Sequence, residues 1–146
     1  MGNALERSFR VGEVVYVVDY WGTNNGTQAF ETLARILKVD VTAKVFMAVL
    51  YGDTCHKYSF KDYGRLIFDT YVEAVEVANN LPKPKTIVYQ IIGKRVYRKI
   101  VEGIRGDYTD GVYDLVICLN KGKNVSTNEI GHSLFINESD ARDAIK

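Results

Sequence analysis

The chain of 146 residues has little of what usually fixes the chemistry or the location of a protein. It contains two cysteines, two histidines and one tryptophan. The cysteines, Cys55 and Cys118, are too few for the disulfide framework of a small secreted domain. No stretch approaches the roughly 20 apolar residues of a membrane-spanning helix, and Met1 to Arg10 lacks the apolar core of a secretory signal. The sequence therefore predicts a cytoplasmic protein with no membrane partner.

Proline is also scarce, and both prolines stand in one segment, Leu81-Pro82-Lys83-Pro84-Lys85. Because X-Pro pairs favour extended backbone and end helices, this segment predicts a boundary between two domains, residues 1–81 and 82–146. An excess of charge of one sign is absent as well, since 19 basic and 18 acidic residues give a formal net charge of +1. This balance excludes a polyanion mimic and a histone-like polycation.

The chain does contain a pattern that occurs twice. Residues 11–16 (VGEVVY) match residues 92–97 (IGKRVY) at an offset of 81, and residues 46–78 match residues 113–145 without a gap at an offset of 67. The difference between the offsets places about 14 extra residues in the first copy, in an inserted loop near residues 19–31. Self-similarity of this kind predicts a tandem duplication.

Each copy is predicted to be mainly β with one closing helix. Short Val- and Tyr-rich stretches separated by turn signals such as Asp110-Gly111 are typical of strands. Thr70-x-x-Glu73 and Asn137-x-x-Asp140 are helix N-cap signatures, and apolar residues at helical spacing follow both. The predicted fold class is therefore α+β, mainly β with short helices: two tandem SH3-like small β-barrel units, each closed by a C-terminal helix.

The predicted strands are residues 13–18, 32–39, 44–51, 56–60 and 66–68 in the first copy and residues 95–97, 99–104, 112–119, 124–126 and 133–135 in the second. The helices are 71–80 and 138–144.

These motifs resemble a repeat of small proteins from prophages and mobile elements of Gram-positive bacteria, in which V-G-x-x-V-Y is followed by G-x-x-[VI]-F and a [TN]-x-x-[ED]-A helix. The matching residues are Val11, Gly12, Val15, Tyr16, Gly64, Ile67, Phe68, Thr70, Glu73 and Ala74 in the first copy and Ile92, Gly93, Val96, Tyr97, Gly131, Leu134, Phe135, Asn137, Asp140 and Ala141 in the second. Because such proteins often inhibit host systems, CRISPR systems among them, the resemblance implies a protein-binding inhibitor. It transfers no functional residue, since the matched positions are typical of core and caps.

No catalytic or metal-binding pattern is found. Cys55, His56, Cys118 and His132 are the candidates for zinc ligands or for a Cys/His nucleophile pair, but neither C-x-x-C nor H-x-x-x-H occurs. Cys55 and His56 are adjacent, and neighbouring side chains on a strand point to opposite faces. The prediction is a protein that is not an enzyme and holds no cofactor or metal.

A basic segment is the first of two candidate binding sites. Residues 81–105 contain seven Lys and Arg and one Glu, a net charge of +6. Lys94, Arg95, Arg98 and Lys99 are predicted to contact phosphates or an acidic protein face. The alternative is a solvated edge strand, because Lys and Arg also protect sheet edges from aggregation.

The second candidate site is Tyr20 with Trp21, which precede the polar stretch 22–27 in the inserted loop. Function often lies in a loop on a rigid scaffold, and Tyr and Trp are favoured anchors of interfaces. The alternative is that Trp21 folds back as a cover on its own barrel.

Three functional classes remain. The first is a protein-binding inhibitor or adaptor that occludes an acidic or nucleic-acid-binding surface of a host protein, such as a CRISPR effector. The second is a small-barrel protein that binds nucleic acid and stacks bases on tyrosines, although the near-neutral total charge counts against it. An enzyme is the third. The oligomeric state stays open between a monomer and a homodimer.

Overall fold

A computed structural model of the chain describes residues 7–23 and 26–146. These residues form a mainly β structure with two short helices, which confirms the α+β class. Their strands are hydrogen-bonded into a sheet that does not close, so the two barrels stay a prediction. No helix in the described ranges is long and apolar enough to cross a lipid bilayer.

The order of the elements repeats. The first half contains β1 (Val14–Thr23), β2 (Gly26–Asp40), β3 (Val45–Leu50), β4 (Cys55–Ser59), β5 (Ile67–Phe68) and α1 (Tyr71–Asn80). The second half contains β6 (Ile87–Ile92), β7 (Arg95–Thr109), β8 (Val112–Leu119), β9 (Val125–Ser126), β10 (Leu134–Phe135) and α2 (Glu138–Ala144). Both predicted helices are confirmed. The predicted strands miss β6, and they divide β7 in two.

The helix caps differ between the two halves. At α1 the Thr70 hydroxyl accepts a hydrogen bond from the Glu73 N–H over 3.3 Å and donates one to the Glu73 carboxylate over 2.8 Å. The bond from the Glu73 N–H to the Thr70 hydroxyl is the N-cap bond that the sequence predicts. At α2 the Asn137 side chain makes no cap hydrogen bond, so that part of the prediction is wrong.

Backbone hydrogen bonds show which residues correspond at the start of each half. The Gly12 N–H donates to the Ile36 carbonyl over 2.7 Å, and the Lys85 N–H donates to the Val101 carbonyl over the same distance. Gly12 and Lys85 also share a positive φ, 86° and 73°. Gly93 lies instead in the turn between β6 and β7. In its backbone hydrogen bond, Gly12 thus matches Lys85 and not Gly93, the residue that the offset of 81 predicts. Short Val-Tyr motifs occur in both β6 and β7, so identity alone cannot choose between the two offsets.

From the 3-10 turns Phe60–Asp62 and Thr127–Glu129 onward, the same backbone bonds recur at the predicted offset of 67. The Gly64 N–H donates to the Ile67 carbonyl over 2.8 Å, and the Gly131 N–H donates to the Leu134 carbonyl over 2.8 Å. The φ angles of the two glycines are 89° and 87°. These matches are bonds of the backbone, so they do not depend on side-chain identity.

The offset of 67 does not hold in the preceding strands, β3 and β8. Val45 on β3 pairs with Ser59, whereas Val116 on β8 pairs with Ser126. Since Ser59 and Ser126 correspond, Val45 corresponds to Val116 at an offset of 71. Val49 and Val116, which are identical in the ungapped match, therefore do not occupy equivalent places.

The chain forms two compact units that combine segments from both halves of the sequence. Unit 1 comprises Met1–Asp19, Phe30–Asn80 and Gly106–Asp114, and unit 2 comprises Tyr20–Ala29, Leu81–Arg105 and Leu115–Lys146. The tip of the β7–β8 hairpin thus belongs to unit 1, and the tip of the β1–β2 hairpin belongs to unit 2. Domains that divide at residues 81 and 82 stay a prediction.

The division of the chain into these two units separates acidic residues from basic ones. The described residues of unit 1 carry 8 basic and 12 acidic side chains, and those of unit 2 carry 11 basic and 5 acidic side chains. The net charges are therefore −4 and +6. Three aspartates in the β7–β8 tip contribute to the difference, because the tip follows the basic strand in sequence but folds into the acidic unit.

Unit 1 has an aromatic core. The ring of Phe9 lies 4.7 Å from that of Phe46 and 5.0 Å from that of Phe60, measured between centroids, and all three are buried. Paired aromatic rings add to the stabilisation that their buried area supplies.

Unit 2 has an aliphatic core and a close backbone contact. Its buried side chains include Val88, Val101, Ile104, Leu115, Ile117 and Leu134. Thr27 pairs with Gly103 in parallel, and the Ile104 N–H donates to the Thr27 hydroxyl over 2.9 Å. A Cβ on Gly103 would lie 2.3 Å from that hydroxyl oxygen, so only glycine fits against Thr27.

Candidate functional site

The predicted basic residues lie at the end of the β6–β7 hairpin in unit 2. Lys94 is in the two-residue turn, and Ile92 pairs with Arg95 directly beside it. The register continues with Tyr97 opposite Gln90. This hairpin end, residues 92–99, is called the basic hairpin below.

Alternation along β7 divides the basic residues between the two faces of the basic hairpin. Arg95, Tyr97 and Lys99 are on one face and Arg98 is on the other, because successive strand residues point to opposite sides. Lys94 projects from the turn. Over its length β7 is hydrogen-bonded to β6, β2 and β8, and its residues 95–99 pair with β6. The cations therefore surround the end of the hairpin.

Three of these cations are exposed and form no ion pair with another described residue. Lys94, Arg95 and Arg98 are exposed, and no carboxylate of the described ranges lies within 4.0 Å of their charged nitrogens. Lys99 differs, since its Nζ donates to the Lys121 carbonyl over 3.0 Å and lies 6.0 Å from the centre of the Tyr97 ring. Lys99 thus also holds local structure.

Apolar side chains are exposed beside the cations. Ile92 is 51% exposed, Tyr97 is 41% exposed and Ile100, just beyond the hairpin end, is 42% exposed. Tyr and Arg are enriched in protein interfaces, where a partly apolar centre is surrounded by polar groups. The basic hairpin therefore combines groups that could bind an acidic and partly apolar surface.

Tyr20 and Trp21 lie on β1, in the segment that belongs to unit 2. The predicted inserted loop is a strand on each side, up to Thr23 and from Gly26, and its residues 24–25 lie outside the described ranges. Trp21 is 64% exposed, which does not fit the alternative in which it covers its own barrel. All six predicted site residues are thus in one unit.

Sequence reasoning missed a polar cluster in unit 1. His56 Nδ1 lies 2.5 Å from the Tyr108 hydroxyl, and the Tyr113 hydroxyl donates to Asp19 over 2.5 Å. The rings of His56 and Tyr113 stack with centroids 3.6 Å apart, and His56 Nε2 is 3.7 Å from an Asp19 oxygen. Asp19 and Tyr113 are separated by 94 residues. No local motif in the sequence could therefore have signalled the cluster.

Two tyrosines in this part of unit 1, Tyr58 and Tyr108, have raised pKa values. Burial, followed by the charge of Asp19, raises the pKa of Tyr58 well above its ordinary value of 10.0. Burial is also the largest cause of the raised pKa of Tyr108, with Asp19 and Cys55 adding to it. A raised pKa disfavours a tyrosinate nucleophile. The geometry instead joins the β7–β8 tip to β1 and β4 within unit 1.

Replacing Tyr58 by phenylalanine is expected to stabilise the protein by about 1 kcal/mol, because a buried hydroxyl without a partner costs about 1–3 kcal/mol. The Tyr58 hydroxyl is buried and has no hydrogen-bond partner among the described residues. The matched variant Tyr113→Phe should destabilise by about 2 kcal/mol, since it removes a buried bond to a carboxylate. Urea unfolding at neutral pH measures both. Equal losses in the two variants would contradict the prediction.

Tyr58→Phe should also change how the free energy of unfolding depends on pH in alkaline solution. Tyr58 keeps its proton in the folded state, whereas an unfolded tyrosine ionises at about pH 10. The folded state then binds more protons, so stability falls as the pH rises above about 10. Tyr58→Phe is expected to remove part of this fall between about pH 9 and 11, measured by urea unfolding across that range. An unchanged slope would contradict the assignment to Tyr58.

The cysteines and histidines do not gather around one point. In the described ranges, no group of three His, Cys, Asp or Glu residues could hold a metal ion. Cys55 is exposed and Cys118 is buried, and burial is the main cause of the raised pKa of the Cys118 thiol. A raised pKa lowers the fraction of reactive thiolate.

An open concavity of about 470 Å³ lies in unit 1. It is lined by Arg7, Ser8, Arg10, Val11 and Glu13. Arg7 is already ion-paired with Glu13 and, over 3.0 Å, with Asp69. Because those carboxylates compensate its charge, Arg7 is a weak candidate for binding an anion.

Comparison of the chain with protein-family models, with curated proteins and with solved structures gives no match.

Proposed function

We propose that this protein is a protein-binding inhibitor or adaptor that occludes a surface of a host protein, with the basic hairpin of unit 2 as its contact surface. One observation carries the proposal: Lys94, Arg95 and Arg98 are exposed and have no carboxylate partner in residues 7–23 and 26–146, beside the exposed side chains of Ile92 and Tyr97. Cations that are unpaired in the free protein can bind the carboxylates of a partner without first breaking an internal ion pair. The apolar side chains add burial to this attraction.

The charge of unit 2 supports an acidic partner. Its net charge of +6 is concentrated in residues 81–105, and the other described segments of the unit are neutral in sum. Complementary charge speeds association and selects among partners more than it raises affinity. Affinity then depends on anchors such as Tyr97 and Trp21, whose rings are large and exposed.

The proposal includes the finer architecture. Each half of the chain is an SH3-like small barrel of five strands and a helix, and the two halves arose by duplication. The repeated element order and the equivalent backbone bonds of Gly12 and Lys85, and of Gly64 and Gly131, support this view. Under this proposal the molecule acts in the cytoplasm, presents surfaces and performs no reaction.

A nucleic-acid-binding protein is the second candidate, favoured by one feature of the basic hairpin. Tyr97 lies between Arg95 and Lys99 on the same face of β7, and the Lys99 ammonium is 6.0 Å from its ring centre. An exposed ring flanked by cations can stack a base while the cations bind phosphates. Only this ring is so placed on the described face, so the footprint is small.

Salt dependence of binding separates the two candidates. The inhibitor proposal predicts weak binding of fluorescent poly(dT) and random duplex DNA at physiological salt, together with capture of an acidic protein from a Gram-positive bacterial lysate. A nucleic-acid binder would instead lose affinity steeply as salt rises, with a log–log slope of about −0.7 per phosphate on a single strand. Tight DNA binding with that slope and no captured protein would overturn the proposal.

A further inference from the structure

We propose that unit 1 carries a second docking surface, the outer face of strands β2, β3 and β4, which takes an acidic amphipathic helix of another protein. This surface is called the outer face below. It is defined by Arg35, Leu37, Lys38, Met47, Val49 and Lys57.

Strand register places apolar side chains between cations on the outer face. Lys38 pairs with Met47, and Met47 pairs with Lys57, so a basic residue stands on each side of the methionine. In the next row Arg35 pairs with Val49. Directly opposed residues have Cβ atoms about 5 Å apart, so these side chains are in reach of one ligand.

The outer face is more open than the equivalent face of unit 2. Leu37 is 42% exposed, and Val45 and Met47 are only partly buried. Val116 and Cys118, which occupy the places of Val45 and Met47 in unit 2, are each 9% exposed. One copy of the fold therefore covers these positions, and the other leaves them accessible.

The cations of the outer face have no ion-pair partner in the part of the chain that the structure describes, although they belong to an acidic unit. No carboxylate of the described ranges lies within 4.0 Å of the charged nitrogens of Arg35, Lys38 or Lys57. Asp40, at the end of β2, accepts a hydrogen bond from the Ala43 N–H over 2.9 Å instead. An incoming acidic group therefore meets free positive charge on this face.

The chemistry of the outer face selects a helix of a protein over a nucleic acid. Its centre is formed by Met47 and Val49 and contains no aromatic ring on which a base could stack. Helices commonly cover the apolar face of a sheet, and methionine adapts to varied apolar partners. The flanking cations then favour a helix whose apolar stripe is bordered by Glu or Asp.

A synthetic helix tests the proposal directly. The probe is a fluorescein-labelled peptide of about 18 residues, roughly five turns, with a leucine stripe bordered by glutamates. Fluorescence anisotropy is expected to show binding to the whole protein. Lys38→Glu with Lys57→Glu should weaken it about 10-fold or more, whereas Lys61→Glu, elsewhere in unit 1, should change it less than about twofold.

A charge swap makes the test independent of folding. A matched peptide with lysine in place of glutamate should bind the Lys38→Glu, Lys57→Glu protein more tightly than it binds the wild type. Substitutions in the basic hairpin should weaken binding of the acidic peptide less than Lys38→Glu with Lys57→Glu does. The experiments can therefore contradict the proposal for the outer face without contradicting the proposed function of unit 2, and they can contradict the proposed function without contradicting the proposal for the outer face.

Four results would overturn the proposal. The first is binding weaker than about 1 mM, and the second is an equal effect of Lys61→Glu. The third is capture of poly(dT) that depends on Lys57. The fourth is self-association that Lys57→Glu abolishes, since the exposed Val72, Glu73 and Glu76 of α1 in a second copy are the competing occupant.

Discussion

Replacing Gly106 by alanine is expected to lower the free energy of unfolding by about 3 kcal/mol. A Cβ at this position would lie 2.1 Å from the Tyr113 hydroxyl oxygen and 2.6 Å from two atoms of its ring. Tyr113 cannot move aside cheaply, because it is 2% exposed, stacks on His56 and donates to Asp19. Thermal unfolding should show a fall in Tm of about 10 °C.

Gly22 provides the matched control for Gly106. It lies on β1, and a Cβ there would meet no atom within 4 Å. Gly22→Ala is therefore expected to change stability by less than about 0.5 kcal/mol. If the two variants lose the same stability, the packing of Tyr113 against Gly106 is not the cause. Tyr113→Phe is informative beside them, since it keeps the ring and removes only the bond to Asp19.

Reversing the charge of the basic hairpin should have the largest effect on binding. Arg95→Glu with Arg98→Glu is expected to weaken capture of the acidic partner about 100-fold, since each arginine lost from an interface centre costs about 1–2 kcal/mol. Both side chains are exposed, so folding should be unaffected. Surface plasmon resonance with the captured partner measures the loss, and circular dichroism confirms the fold. Lys99 is not substituted, because its ammonium donates a hydrogen bond to the Lys121 carbonyl and its loss would change local structure as well as charge.

A pair of lysines elsewhere in unit 2 provides the control that separates a local contact from an effect of net charge. Lys121→Glu with Lys123→Glu changes the net charge of unit 2 by the same amount, and both residues are exposed. These substitutions should weaken binding less than about threefold. If they weaken it as much as the arginine pair does, net charge alone drives association and the basic hairpin is not the contact. A large effect confined to Arg95 and Arg98 supports the proposed surface.

Local patterns in the sequence predicted the features that depend on near neighbours in the chain. Thr70 caps α1 because a helix start needs only a side-chain oxygen three residues from an N–H. Asn137 had the same spacing and made no such bond, because a favourable side chain does not ensure the rotamer that caps. The class of fold followed in the same way, from Val- and Tyr-rich stretches and turn residues.

Only backbone hydrogen bonds could indicate which residues of the first half match which residues of the second half. Val-Tyr pairs occur at residues 15–16, 88–89, 96–97 and 112–113, so identity allowed more than one match for the first strand. The bonds of Gly12 and Lys85 chose the one in which β1 corresponds to β6. A glycine and a lysine share that place because both adopt a positive φ, a property that sequence identity does not report.

Composition and local pattern were enough to establish a mainly β chain with two short helices and a basic segment at residues 81–105, because each of these depends on residues close together in sequence. Only tertiary structure decided which segments share a unit. It joined the aspartates of the β7–β8 tip to unit 1 and brought His56, Asp19 and Tyr113 into contact. It also left the cations of the basic hairpin without carboxylate partners among the described residues. The reason is that burial and ion pairing depend on distances across the fold, between residues that stand far apart along the chain.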